Sequence, residues 1–212
     1  MTDPEAHNAH GARSRPPVVR AFDVISRLYD FGALQRLVYR PNHDAVLGEL
    51  RRVGARRVLD VGCGTGILAT RIQQVLRPEQ VIGCDPSEGM LEKARARSAD
   101  VRWLHGTAER LPLEDGAVDA VVSTEAFQFF DQVAALHEFH RVLEPGGSLV
   151  LAVITPLVPT DALTHGTAAR WRTRSELRRI VEQAGFELTA QRPVRRWLGP
   201  LSLGVATVAT RS

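Results

Sequence analysis

The chain is short of several residue types, and each shortage removes a class of explanation. It has two cysteines, Cys63 and Cys84, in 212 residues. Both fall in segments patterned as strand or turn, which argues against the disulfide framework of a small secreted domain and leads to an expectation of reduced thiols in the cytoplasm. Lys93 is the only lysine among 27 basic residues. The arginines that make up the rest are interleaved with acids along most of the chain. The net charge of +3 and the pI near 9.4 therefore do not gather into the basic, aromatic-laced surface that nucleic acid requires. No apolar run reaches the length of a membrane helix, and the N-terminus lacks the apolar core of a secretory signal. Residues 1–17 carry His, Ala, Arg and Pro without apolar periodicity, and a disordered tail is expected there. No internal repeat or low-complexity linker interrupts the chain beyond that tail, and nothing calls for a metal.

What is present is a 44% hydrophobic chain, enough for one substantial core and too little for two ordinary domains, so residues 18–212 are expected to form a single domain. Apolar residues at Val18, Phe22, Ile25 and Tyr29, then at Val46, Leu47, Leu50 and Val53, fall at helical spacing. Two helices therefore precede the first strand, over residues 18–53. Residues 57–61 read as a buried strand, and Leu68, Ile72, Val75 and Leu76 as one face of a helix. Residues 80–84 read as a strand, with a helix over 86–96 that takes Pro86 into its first turn. A strand is expected over 101–104 and another over 117–123. A helix over 133–143 turns Leu136, Phe139, His140 and Leu143 inward, and Pro145-Gly146-Gly147 stops it. Residues 148–154 read as a strand, 174–184 as a helix, and 186–190 and 203–210 as the last strands. Such alternation predicts an α/β fold with a seven-stranded, mainly parallel sheet and helices on both faces, because parallel strands need crossover connections.

The run Val58-Leu59-Asp60-Val61-Gly62-Cys63-Gly64-Thr65-Gly66 places glycines between a strand and a helix, where backbone can approach a ligand and the helix N-terminus offers unpaired N–H groups. A dinucleotide fingerprint reads G-x-G-x-x-G, whereas Gly62, Gly64 and Gly66 make G-x-G-x-G, with the third glycine one residue early. Asp85 closes the next strand, in Gly83-Cys84-Asp85-Pro86-Ser87. An acid there either caps the following helix or receives the hydroxyls of a ribose, and the two roles are compatible.

On these residues the chain resembles the class I S-adenosylmethionine-dependent methyltransferases, within a group similar to the ubiquinone and menaquinone biosynthesis C-methyltransferases. The resemblance is good over residues 22–151. It implies a Rossmann-like core over 54–154, a helical cap over 18–53 on the substrate side, and a substrate-side loop and C-terminal strands over 155–212. S-adenosylmethionine is the implied cofactor. Gly62, Cys63, Gly64, Thr65 and Gly66 would hold its methionine part, with Asp60 on the ammonium, directly or through water. Asp85, Pro86 and Ser87 would meet the ribose, Met90 would pack on adenine, and Thr107, Ala108 and Glu109 would border it, with Ser123 also at the cofactor. The family's usual aspartate at position 107 is threonine here, which keeps an acceptor and loses the charge.

The acceptor half is less regular. Ser123-Thr124-Glu125-Ala126-Phe127-Gln128-Phe129-Phe130 ends the fourth strand, on the crevice side of a parallel sheet. Related enzymes often carry histidine where Gln128 stands, and glutamine is no base at neutral pH. Candidate bases are Glu125 and His165. Tyr29, Phe31, Phe127, Gln128, Phe129 and Trp171 are expected to wall a small, largely apolar or aromatic acceptor. The segment lacks an Asn-Pro-Pro-Tyr motif, which argues against methylation of adenine or glutamine amines. Two other readings share part of the pattern. One is an NAD-dependent oxidoreductase, through the glycine turn and the acid after it. The other is a non-catalytic S-adenosylmethionine-binding protein, through Thr107, Gln128 and the lack of an evident base.

Overall fold

A computed structural model describes residues 39–156, 169–194 and 202–212. The expected tail, the first cap helix and the candidates Tyr29, Phe31 and His165 lie outside the described residues. In order, the elements are α1 (Arg40–Val53), β1 (Arg57–Val61), α2 (Ile67–Leu76), β2 (Gln80–Asp85), α3 (Glu88–Arg97), β3 (Arg102–His105), β4 (Val118–Thr124), a 3-10 turn (Phe127–Phe129), α4 (Gln132–Val142), β5 (Leu143–Pro156), α5 (Arg174–Gln183), β6 (Phe186–Val194) and β7 (Ser202–Arg211).

The seven strands form one sheet in the order β3-β2-β1-β4-β5-β7-β6. Strands β1 to β5 pair in parallel, while β7 runs antiparallel to both β5 and β6. Chain order reverses between β1 and β4, so a crevice opens beyond their carboxyl ends, the usual ligand position in such sheets. Both faces are covered. Leu59, Val61, Val121 and Leu149 pack with Leu136 and Phe139 of α4 and Leu177 and Val181 of α5. Val58, Val81, Val122 and Val150 pack with Val46 and Leu50 of α1 and Leu68 and Ile72 of α2. Burial on both sides explains why the central strands are continuous apolar runs rather than alternating ones.

Several boundaries differ from the pattern reading for identifiable reasons. Helix α1 starts at Arg40, ahead of its first apolar position Val46, with Pro41 in its first turn, where a missing N–H costs nothing. Pro86 instead lies outside α3. Ser87 is the cap, its hydroxyl accepting from Met90 N at 3.2 Å. Pro145-Gly146-Gly147 does not stop α4. That helix ends at Val142, and Leu143 passes directly into β5 as the partner of Val118, after which the register jumps to Ala120 with Ser148. The Pro-Gly-Gly residues form the irregularity inside a longer strand. Strand β6 likewise runs on through Pro193, which an edge strand tolerates because one side of it lacks a partner. Val75, at 49% exposure, falls outside the buried face that its spacing suggested, and His140 is only half-buried.

Candidate active site

Strand β1 delivers Asp60 and Val61 to the crevice and then turns through three glycines with φ of +71, +54 and +77. Gly62 and Gly66 are needed for close approach as well as for dihedral freedom. A Cβ on Gly62 would lie 2.6 Å from Ala126 Cβ and 3.1 Å from Phe130 Cζ, and one on Gly66 would overlap the Trp103 indole. Gly64 is different, since a Cβ there would meet no protein atom within 4 Å. The middle of the turn therefore faces open space. Backbone bonds fix the turn from below, with Gly62 N and Cys63 N both donating to Cys84 O at 2.9 and 3.2 Å. Arg97 Nε adds a bond to Thr65 O at 2.8 Å. Gly66 precedes α2 at φ +77, and the Ala69 N–H in the first turn of that helix is engaged by the Asp60 carboxylate.

Two carboxylates flank the turn. Asp85, at the end of β2, accepts from Gly64 N at 2.8 Å through Oδ2 and from Ser87 N at 2.9 Å through Oδ1, so it ties the glycine turn to the start of α3. A carboxylate oxygen accepts more than one donor, so these bonds are compatible with a ligand at the same group. Asp60 is 1% exposed, and its Oδ2 has no hydrogen-bond partner. Burial, reinforced by the charge of Asp85 and only partly offset by the Ala69 backbone N–H, pushes its carboxyl up to about 7. A buried acid with an unsatisfied oxygen beside an open turn fits a ligand that presents a cationic donor. Burial also raises the Cys63 thiol well above its ordinary value and pushes Cys84 up to about 12, which keeps both as thiols at neutral pH.

On the other side of the crevice, Met90 and Ala108 are buried while Thr107 is exposed, its carbonyl accepting from Arg110 N at 3.2 Å. Glu109 accepts from Asp131 N at 2.9 Å. Ser123, fully buried at the end of β4, has an unpartnered hydroxyl. Glu125 follows at φ +52, its carboxylate held by the Asn42 side chain from α1. Gln128 donates to Glu125 O at 2.7 Å. A pocket is lined by Phe127, Gln128, Gln132, Val153, Trp171 and Leu177 together with Arg170 and Arg172.

Residues 59–151 match a family model described as a methyltransferase domain. The demethylmenaquinone methyltransferase of Thermus thermophilus is 39% identical over 140 residues, which cover 64% of this chain and 61% of that protein. The malonyl-[acyl-carrier protein] O-methyltransferase of Methylovorus sp. is 31% identical over 186 residues, covering 80% of this chain and 62% of that protein. The chain spans less than two thirds of the length of these curated relatives. A Thermotoga maritima structure named as a SAM-dependent methyltransferase is 26% identical with a TM-score of 0.72, covering 91% of this chain and 99% of that one. Residues 59–151 thus match a methyltransferase domain, and the chain is similar to S-adenosylmethionine-dependent methyltransferases. The [4+2]-cyclase SpnF has the same fold, with a TM-score of 0.75 at 20% identity, so the reaction must be argued from the site rather than from the architecture.

Within the methyltransferase domain, the structure brings Asp60, the glycine turn, Asp85 and Ser87 to one end of the sheet, as their placement at β1 and β2 requires. Phe127 lies in the main core and meets Phe130 edge to face at 6.1 Å, while Phe129 and Trp171 are half-buried. Sequence reasoning missed Asn42 and His43, both buried on α1. Burial first, then the Arg71 charge, lowers His43 to about 4 against the opposing pull of Asp44, so it is neutral in the folded protein. Gln132 was also missed. Its side chain donates to Arg170 O at 2.8 Å and accepts from Arg172 Nε at 2.8 Å, which fixes the segment carrying Trp171. Polar residues on helices give no periodic signal of such roles. Among the described residues no helix is long and apolar enough to cross a membrane, and no group of three or more His, Cys, Asp or Glu is placed to hold a metal.

Proposed function

We propose that this protein transfers the methyl group of S-adenosylmethionine to an oxygen or carbon of a small, apolar or aromatic acceptor by in-line displacement. The observation that carries the reading is Asp60, a buried carboxylate with an unpartnered oxygen at the edge of an open glycine turn. The cofactor supplies a sulfonium-bound methyl that is already strongly activated, so the protein's share of the work is positioning and exclusion of water. Asp60 neutralises and orients the ammonium group, and the turn from Gly62 to Gly66 accommodates the methionine part. Asp85 accepts from the ribose hydroxyls, with Pro86 and Ser87 alongside. Met90 supports the adenine, Thr107, Ala108 and Glu109 border its edge, and Ser123 faces the same crevice. Glu125 is the proposed proton acceptor for a hydroxyl acceptor.

The cap over residues 18–53, the core over 54–154 and the segment 155–212 are proposed to act as one domain, with Tyr29, Phe31, Phe127, Gln128, Phe129 and Trp171 on the acceptor side. His165 is the alternative base. The two buried free thiols support a cytoplasmic setting. Calorimetry with S-adenosylmethionine and with NAD tests the cofactor, and only the former should bind. A panel of phenols and quinols incubated with labelled cofactor tests the reaction. Cofactor binding without turnover on any of them, or turnover only on a polar macromolecule, would overturn the small-molecule reading.

A further inference from the structure

Methyl transfer does not by itself require the arrangement around Glu125. Two buried amides, one from α1 and one from the 3-10 turn, direct their nitrogens at this single residue. Asn42 donates through Nδ2 to the carboxylate, and Gln128 donates through Nε2 to the Glu125 carbonyl at 2.7 Å. Each nitrogen thus meets an oxygen that can only accept, which fixes both amide orientations and leaves the two amide oxygens turned elsewhere. Asn42 is 0% exposed and Gln128 5%, yet Asn42 Oδ1 and Gln128 Oε1 both lack a hydrogen-bond partner. Buried oxygens left in this state are costly and rare, and two around one residue call for a shared explanation. The cluster also lies against the cofactor turn, because Ala126, next to Glu125, is the residue that a Cβ on Gly62 would strike at 2.6 Å. Gln128 lines a pocket together with Phe127, Val153 and Leu177. Of the two arginines that also line it, Arg172 is engaged with Gln132 and Arg170 is exposed.

We propose that Glu125 and the amide oxygens of Asn42 and Gln128 form an all-acceptor clamp for the methyl acceptor, which presents a hydrogen-bond donor, a hydroxyl or an amine, on an apolar body. This rests on the methyltransferase reading and narrows its substrate class. A carboxylate acceptor would bring negative charge against three acceptors and is selected against.

The test measures binding of three matched ring compounds, a phenol, an aniline and a benzoate, to the full chain with S-adenosylhomocysteine present. The phenol or the aniline should bind at least about tenfold more tightly than the benzoate, roughly the effect of one well-made hydrogen bond. Gln128→Met, which keeps the volume and removes the oxygen, should erase most of that preference while S-adenosylhomocysteine affinity stays within about twofold. The wild-type comparison needs no variant and stands even if Gln128→Met fails to fold. Tighter binding of the benzoate, binding of none of the three, or an unchanged preference in Gln128→Met overturns the clamp and leaves the methyltransferase reading intact. Failure of S-adenosylhomocysteine itself to bind overturns that reading and the clamp with it.

Discussion

Replacing Asp60 by asparagine should make the ligand-free protein more stable at alkaline pH while abolishing cofactor binding, a combination that an ordinary core mutation does not produce. Asp60 is fully buried, and its carboxyl is pushed from an ordinary value of 3.8 to about 7. A folded-state value above the unfolded one means that the folded protein binds the proton more tightly. Stability attached to this group is therefore complete below about pH 4 and is lost as the pH rises through about 7. A displacement of that size corresponds to about 4 kcal/mol lost by pH 8, of which about 1.6 is already lost at pH 5. Asparagine carries no charge at either pH. It also places an amide nitrogen where Oδ2 has no partner, at a cost of roughly 1–3 kcal/mol that is the same at both. That cost cancels when the variant is compared with wild type at two pH values. Urea denaturation without ligand should therefore show the asparagine variant gaining on wild type by about 2–3 kcal/mol between pH 5 and pH 8. Calorimetry at pH 8 should show S-adenosylmethionine affinity reduced at least about a hundredfold, as expected when a buried cation loses its counter-charge. A relative stability that does not change with pH, or near-normal cofactor affinity, would refute the argument that Asp60 is an acid held ready for a cation.

The remaining predictions concern the frame around the turn. Gly83→Ala should destabilise by roughly 2–3 kcal/mol, because the added methyl overlaps the Trp103 ring, and Trp103→Leu should remove much of that penalty in a thermal-melt double-mutant cycle. Arg77 ends α2 in the left-handed conformation at φ +49. Arg77→Gly should therefore raise stability by about 0.5–1 kcal/mol with cofactor affinity unchanged, and a loss of stability would contradict the strain assigned there. Thr107→Asp, which restores the family's usual acid at an exposed position, should tighten S-adenosylhomocysteine binding about tenfold by calorimetry. Unchanged affinity would remove Thr107 from the adenine edge.

How much of this was legible in the sequence depended on whether backbone or side chains built the feature. The proposed cofactor edge is built from strand ends and from glycines at positive φ, so Asp60, Gly62, Gly64, Gly66 and Asp85 stand out in the sequence by their pattern together with the family resemblance. Even there one relation was hidden. Asp85 reads in sequence as a helix cap or a ribose ligand, and nothing in its position reveals that it also grips Gly64 N across the turn, because that contact joins two strands. Strand β5 was misjudged for the opposite reason. Pro145-Gly146-Gly147 has the composition of a stop, and only pairing with β4, a long-range effect, turns it into a bulge inside a strand. The acceptor side was least legible because its polar members are lone residues on elements with other duties. Asn42 lies 83 positions from Glu125 in the chain, and neither residue type is unusual where it stands. Their meaning comes from which nitrogen is used and which oxygen is left over. Sequence patterns report where backbone must bend or bury, whereas unpartnered oxygens such as those of Asn42 and Gln128 are defined only by a folded arrangement.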